Sequence, residues 1–205
     1  MARRRLTPEQ RREELLEAAD LLLQACGTAL RVEDITTAAG AAKGTFYTCF
    51  ETWDDLLVAV RARRLAMFEQ RITPLLDPNA PHHWPPLLPR LAEVIVVFIL
   101  NLGKLHDVLF HSTFHLTHPL PPEVEPATRL AALLRAGQAA GAYVDLDPEP
   151  TGALIFAMIH ETADSIAAGT DYGRAMRALT TALNRLVLKP NGASPCHSPV
   201  QDAPC

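Results

Sequence analysis

Residues 31–50 read RVEDITTAAGAAKGTFYTCF and leave the backbone little freedom. Gly40 separates two short segments, each with apolar positions at helical spacing, so one helix must stop and another restart around it. Val32, Ile35 and Ala39 fall on one face, and Phe46 and Phe50 continue that inner face in the second segment. Two short helices about a glycine turn make a helix-turn-helix. The second helix then points Lys43, Thr45, Tyr47 and Thr48 outward. Gly44 permits close approach to another backbone. The helix start can offer N–H groups and its dipole to a phosphate. Thr45 and Tyr47 supply hydroxyl donors, and Lys43 supplies a charge and a base-edge donor.

The remaining pattern is helical throughout, which predicts an all-α protein of about nine helices. Thr7-Pro8-Glu9-Gln10 is a capped start with Gln10 placed for a capping box. Leu15, Ala19, Leu22, Leu23 and Cys26 follow at helical spacing until Gly27. Thr52-Trp53-Asp54-Asp55 opens a longer helix to about Ile72. Pro74, Pro78, Pro81, Pro85, Pro86 and Pro89 then predict a linker or a bent approach rather than a helix interior. Helical patterns resume over residues 91–102 and 104–115, and another ends near Gly141. Asp147-Pro148 and Asp171 open the last two. No strand pattern or repeat is present. Residues 190–205 are rich in Pro, Ser, Asn and Gly and read as a disordered tail.

The chain is acidic, with net charge −4. A nucleic-acid role must therefore rest on a local feature. One exists at the start, where Arg3, Arg4, Arg5, Arg11 and Arg12 face a single acid, Glu9, over the first twelve residues. The longest apolar runs, residues 94–100 and 153–159, fall short of the roughly 20 residues needed to cross a bilayer. No export signal is legible after the arginines. Cys26, Cys49, Cys196 and Cys205 lack CxxC spacing. The expectation is a cytoplasmic protein with free thiols and no membrane partner.

The run Asp34-Ile35, Ala38-Ala39-Gly40, Gly44-Thr45-Phe46-Tyr47 and Phe50, followed by Leu56, resembles the DNA-binding domain of the TetR family of transcriptional regulators. The likeness covers roughly residues 8–70. It implies a three-helix DNA-binding domain over residues 1–70, with its motif at 31–50, and a ligand-binding and dimerisation domain over residues 71–189. It further implies a homodimer on a palindromic double-stranded operator, probed by Arg3, Arg4, Arg5, Arg31, Ala42, Lys43, Gly44, Thr45, Tyr47 and Thr48. Two positions depart from the family. Cys49 stands where a His or Tyr is common, and Trp53 where a Lys is common. Arg31 also replaces the usual Ser or Thr cap of the second helix.

The implied activity is ligand-responsive regulation, as a repressor released from its operator by a small molecule. The alternative is a helical small-molecule or metal-binding protein with weakened DNA binding. Met67, His106, Phe110, His111 and Phe114 are candidate pocket residues, apolar walls with a few polar groups. The last two helices offer Ile155, Ile159, Ile166, Tyr172, Met176, Leu179, Leu183 and Leu186 as a dimer seam at heptad-like spacing. His111, His115 and His118 share one side of a continuous helix, but Pro119 argues against its continuity. His160-Glu161 with Asp164 lacks the second His of a zinc-protease motif. Neither a metal, a cofactor nor an enzymatic activity is expected, because no nucleophile–base pair or phosphate loop accompanies these residues.

Overall fold

A computed structural model describes residues 6–76 and 83–189. The helices are α1 (Pro8–Cys26), α2 (Val32–Ala38), α3 (Lys43–Cys49), α4 (Trp53–Ile72), α5 (Trp84–Leu102), α6 (Thr113–Thr117), α7 (Pro126–Ala139), α8 (Pro148–Ala167) and α9 (Tyr172–Val187). A π-helical segment, Asp107–His111, lies between α5 and α6. No strand occurs among the described residues, only one isolated bridge between Tyr143 and Leu188. The all-α expectation therefore holds. Arg3, Arg4, Arg5, Pro78, Pro81 and the 190–205 tail lie outside the described residues.

Local chemistry sets the helix starts. Thr7 Oγ1 accepts from Gln10 N at 3.2 Å while Gln10 Oε1 accepts from Thr7 N at 3.0 Å. The same reciprocal box joins Thr52 and Asp55 at the head of α4. Each such cap is worth about 1 kcal/mol. Asp171 Oδ1 accepts from Arg174 N at 2.8 Å and starts α9. At α2 the cap is supplied from inside the helix. Arg31 has no acceptor to give, and the Asp34 carboxylate takes the Arg31 N–H instead at 2.8 Å.

The proline-rich approach departs from expectation. Pro85, Pro86 and Pro89 lie within α5, which begins at Trp84 rather than near Leu91. Pro85 and Pro86 occupy the first turn, where the backbone N–H has no helical partner to lose. Only Pro89 forfeits a bond, and burial of Leu87, Leu88 and Leu91 offsets it. So extended, α5 is long and apolar enough to cross a membrane by length and composition, with a mean hydropathy of 1.6. Eight of its side chains, from Leu87 to Leu102, are instead buried inside the protein.

Two apolar cores form. The first joins α1–α4 through Leu15, Leu23, Ile35, Phe46, Phe50 and Leu56. It does not stop near residue 70. Leu102, Leu105, Val108, Leu109 and Phe114 belong to it. The second core joins α5, α7, α8 and α9. Gly152 lets α7 and α8 touch, because a Cβ there would stand 2.7 Å from the Ala127 carbonyl oxygen and 2.8 Å from Ala131 N.

The expected dimer seam is placed differently. Ile155, Ile159, Leu179 and Leu183 are buried within their own chain, at 4% exposure or less. Ile166, Met176 and Leu186 are half-buried against the same core. Of the eight, only Tyr172 is exposed, and its hydroxyl donates to Glu93 Oε1 at 3.2 Å. A single chain has enough apolar surface in α5 and α7 to cover these faces, which the pattern of α8 and α9 alone could not reveal.

Leu183→Ala should therefore lower unfolding stability by about 2–5 kcal/mol, as for a buried leucine replaced without collapse of the site. Urea denaturation measures it. A loss below about 1 kcal/mol would place Leu183 outside the core.

Candidate nucleic-acid interface and inner cavity

Gly40 makes the turn between α2 and α3. Its φ of 59° lies in the left-handed region that favours glycine, and Ala41 N closes the turn on Thr36 O at 2.8 Å. This fixes α3 with Phe46 fully buried and Phe50 nearly so. Their rings meet at 5.6 Å. The opposite face is open. Lys43, Gly44, Tyr47 and Thr48 are exposed, Tyr47 by 51%, and Thr45 is half-buried. Ala42, at the N-cap, makes no side-chain cap bond and is exposed, as is Arg31.

Ala42, Gly44, Thr45 and Thr48 line one shallow groove with Leu6, Thr7, Arg11 and Arg12. The start of α1 thus abuts the start of α3, and the root of the arginine arm lies beside the outward face. Arg11 and Arg12 extend the candidate set beyond the residues singled out from sequence. Arg12 lies over the Phe50 ring at 4.7 Å, and Arg11 donates to Glu14 at 2.7 Å and to Ala39 O at 3.3 Å. The sequence signal was their place one helical turn into α1, next to the Arg triplet.

Glu33 also emerges on this face. Its Oε1 meets Lys43 Nζ at 2.6 Å. Hydrogen bonding to Lys43 holds the Glu33 carboxyl below its ordinary range, and the same bond raises the Lys43 ammonium. Cys49 and Trp53 are half-buried against the first core.

Behind this unit lies a cavity of about 170 Å³. Phe68, Phe98, Phe110, Leu102 and Phe156 wall it, and His106, His111, His115, His160, Glu125 and Arg129 supply polar groups. It is smaller than the roughly 300–1,000 Å³ of drug-sized sites and close to the roughly 150 Å³ that admits one benzene. Of the candidate pocket residues, His106, Phe110 and His111 line it. Met67 does not. It is 51% exposed on the outer side of α4, and its neighbour Phe68 turns inward instead. Phe114 is also placed elsewhere. It is buried in the first core between the Arg61 guanidinium, 4.9 Å from its ring, and the stacked His118 ring.

The histidines regroup. His111, His115 and His118 do not converge, because the chain leaves the α-helix at Asp107 and is extended at Ser112. His118 pairs with Thr117, and His115 Nδ1 is buried without a hydrogen-bond partner. His106 and His111 meet His160 of α8 instead. His160 Nε2 lies 3.1 Å from His106 Nε2 and 3.2 Å from His111 Nε2. His160 Nδ1 faces Asp164 Oδ2 at 3.3 Å. Burial, then the neighbouring His160 and His111, pushes His106 down to about 4.

No family model matches the chain, and no curated protein matches it in sequence. Solved structures match its fold. NemR of Escherichia coli, in its reduced form, aligns with a TM-score of 0.72 at 16% identity, covering 89% of this chain and 99% of its own. A TetR-family transcriptional regulator from Pectobacterium atrosepticum gives 0.67 at 22% identity, covering 92% and 100%. A protein from Saccharomonospora viridis, assigned as a transcriptional regulator and solved in complex with choline, gives 0.70 at 18%, covering 89% and 100%. The chain has the fold of the TetR-family regulators over about 90% of its length.

His106 makes stability depend on pH. Between about 6.5 and about 4 the unfolded chain binds a proton that the folded chain refuses. Its contribution is complete above pH 6.5 and falls as the pH drops toward 4. By pH 5 the loss should reach about 2 kcal/mol. His106→Gln should flatten the difference in urea midpoint between pH 7 and pH 5 relative to the parent chain. An unchanged difference would mean that His106 is not held neutral by the fold.

Proposed function

We propose that this chain is a DNA-binding transcriptional regulator that responds to a small molecule, acting as a repressor released from its operator. The observation that carries the proposal is the outward face of α3. Lys43, Gly44, Tyr47 and Thr48 stand exposed on a helix whose inner face is fixed by Phe46 and Phe50. Phosphate contacts from Tyr47, Thr48 and the arginines at the start of α1 would set position, and Lys43 would reach a base edge. Arg3, Arg4 and Arg5 would extend those contacts from the arm.

Response to a ligand is supported by a shared wall. Residues 105–111 send Leu105, Val108 and Leu109 into the core beneath the reader, and His106, Phe110 and His111 into the cavity. A molecule that reshapes the cavity wall must therefore act on the reader's core, because close-packed interiors transmit displacement. That the similar Saccharomonospora viridis protein was solved in complex with choline supports a small-molecule ligand.

A homodimer fits through the outer faces of α8 and α9 rather than their inner ones. Leu154 is 63% exposed and Tyr172 38%, while Ala157 of α8 is exposed and Met158 half-buried. Two such faces related by a two-fold axis would form a four-helix bundle and present two readers to a palindrome.

A mobility-shift assay on the DNA upstream of the chain's own coding region tests the proposal. Binding should weaken steeply with salt as counterions are released. Lys43→Ala should cost about 1–3 kcal/mol. Glu33→Gln should tighten binding by freeing Lys43. Leu154→Glu should shift sedimentation toward the monomer and weaken operator binding. No complex at low salt would leave the alternative, a ligand- or metal-binding protein that no longer reads DNA.

A further inference from the structure

We propose that His106, His111 and His160 form a binding site for one divalent first-row transition-metal cation, with Asp164 as the residue that orients His160. The site is carried by three side chains from two separate elements, and it stands independently of any DNA binding.

The geometry is that of a chelating face. The three ligand nitrogens lie within 4.8 Å of one another. Two of the Nε2–Nε2 separations are 3.1 and 3.2 Å. A tetrahedral zinc ion with Zn–N bonds of about 2.0–2.1 Å requires about 3.3 Å between its nitrogen ligands. The ring centroids form a near-equilateral triangle of 4.7, 4.8 and 4.9 Å. Mutual hydrogen bonding explains the cluster less well. Once His160 Nδ1–H is given to Asp164, His160 Nε2 has one lone pair and two imidazoles aimed at it.

The backbone supports the same arrangement. Residues five apart on an α-helix point about 140° away from each other. His106 and His111 are five apart, and the π-helical segment that separates them brings positions i and i+5 to one side. His160 arrives from α8, where Asp164 stands one turn further on and 3.3 Å from its Nδ1. A carboxylate on the far nitrogen of a ligating imidazole fixes its tautomer and raises its basicity.

Chemistry and access narrow the occupant. An all-imidazole set suits Zn²⁺, Co²⁺, Ni²⁺ or Cu²⁺ rather than Mg²⁺ or Ca²⁺, which take oxygen. His106 is buried and His160 half-buried, while His111 is exposed and offers the way in. Three protein ligands leave one position for water or for a donor atom of a molecule in the adjoining cavity.

Tag-free full-length protein, stripped with a chelator, is titrated with Co²⁺ alone and then with Zn²⁺. One Co²⁺ per chain should bind, with visible ligand-field bands that Zn²⁺ abolishes by displacement. His111→Gln, at an exposed position that leaves the fold intact, should weaken binding at least tenfold. His160→Ala should do the same. Asp164→Asn should weaken binding about 10- to 100-fold while one ion per chain is still reached at saturation. Zn²⁺ should raise the thermal midpoint of the parent chain and not that of His111→Gln. His115→Gln and Cys26→Ser should bind like the parent. Absence of bands at micromolar Co²⁺ overturns the proposal, as does binding that survives His111→Gln and His160→Ala.

Discussion

An apolar wedge from the second half of the chain seats itself in the first. Leu102, Leu105, Val108 and Leu109 are nearly or wholly buried against α1–α4. Each buried side chain of this size contributes roughly 1.5–3 kcal/mol. Without the wedge, the inner faces of α1 and α4 would lie open to water. The polar ties run the same way. Lys104 N donates to Gln24 O at 3.2 Å, and the Gln24 side chain donates to Asn101 O. Arg61, buried in α4, donates to His118 O at 2.6 Å and covers the Phe114 ring. Burial alone disfavours its charge, so the bond to His118 O is needed to hold it there.

This arrangement explains how one short segment serves two places. Residues 105–111 are divided between the first core and the cavity wall. On one side, Leu105 and Leu109 have no exposure at all. On the other, His106, Phe110 and His111 face the cavity. Arg129 of α7 reaches Glu69 of α4 at 2.8 Å, so the cavity wall on that side is also tied to α4.

The charge pattern has a related logic. For the proposed DNA contact of an acidic chain, positive potential has to be confined to one face. Arg11 and Arg12 are held beside α3, the first by Glu14 and the second over Phe50. Lys43, like Arg11, is already paired, its exposed ammonium with Glu33. Asp34 is spent on capping α2 and takes no part in that face.

Much of the local structure was legible in the sequence. The caps at Thr7, Thr52 and Asp171, the turn at Gly40 and the burial of Ile35, Phe46 and Phe50 follow from side-chain chemistry and periodicity within a few residues. So does the exposure of Lys43 and Tyr47. What tertiary structure decided lies where distant elements meet. The seam of α8 and α9 looked free for a partner, yet α5 and α7 of the same chain cover Ile155, Ile159, Leu179 and Leu183. Pro85, Pro86 and Pro89 looked like a linker, yet burial of the neighbouring leucines drew them into α5. The histidines looked ordered by α-helical spacing, yet a π-helical segment and α8 chose different partners among them. Sequence periodicity determines which face of a helix is apolar. Only packing determines what covers that face, because burial depends on residues brought near in space and not in order.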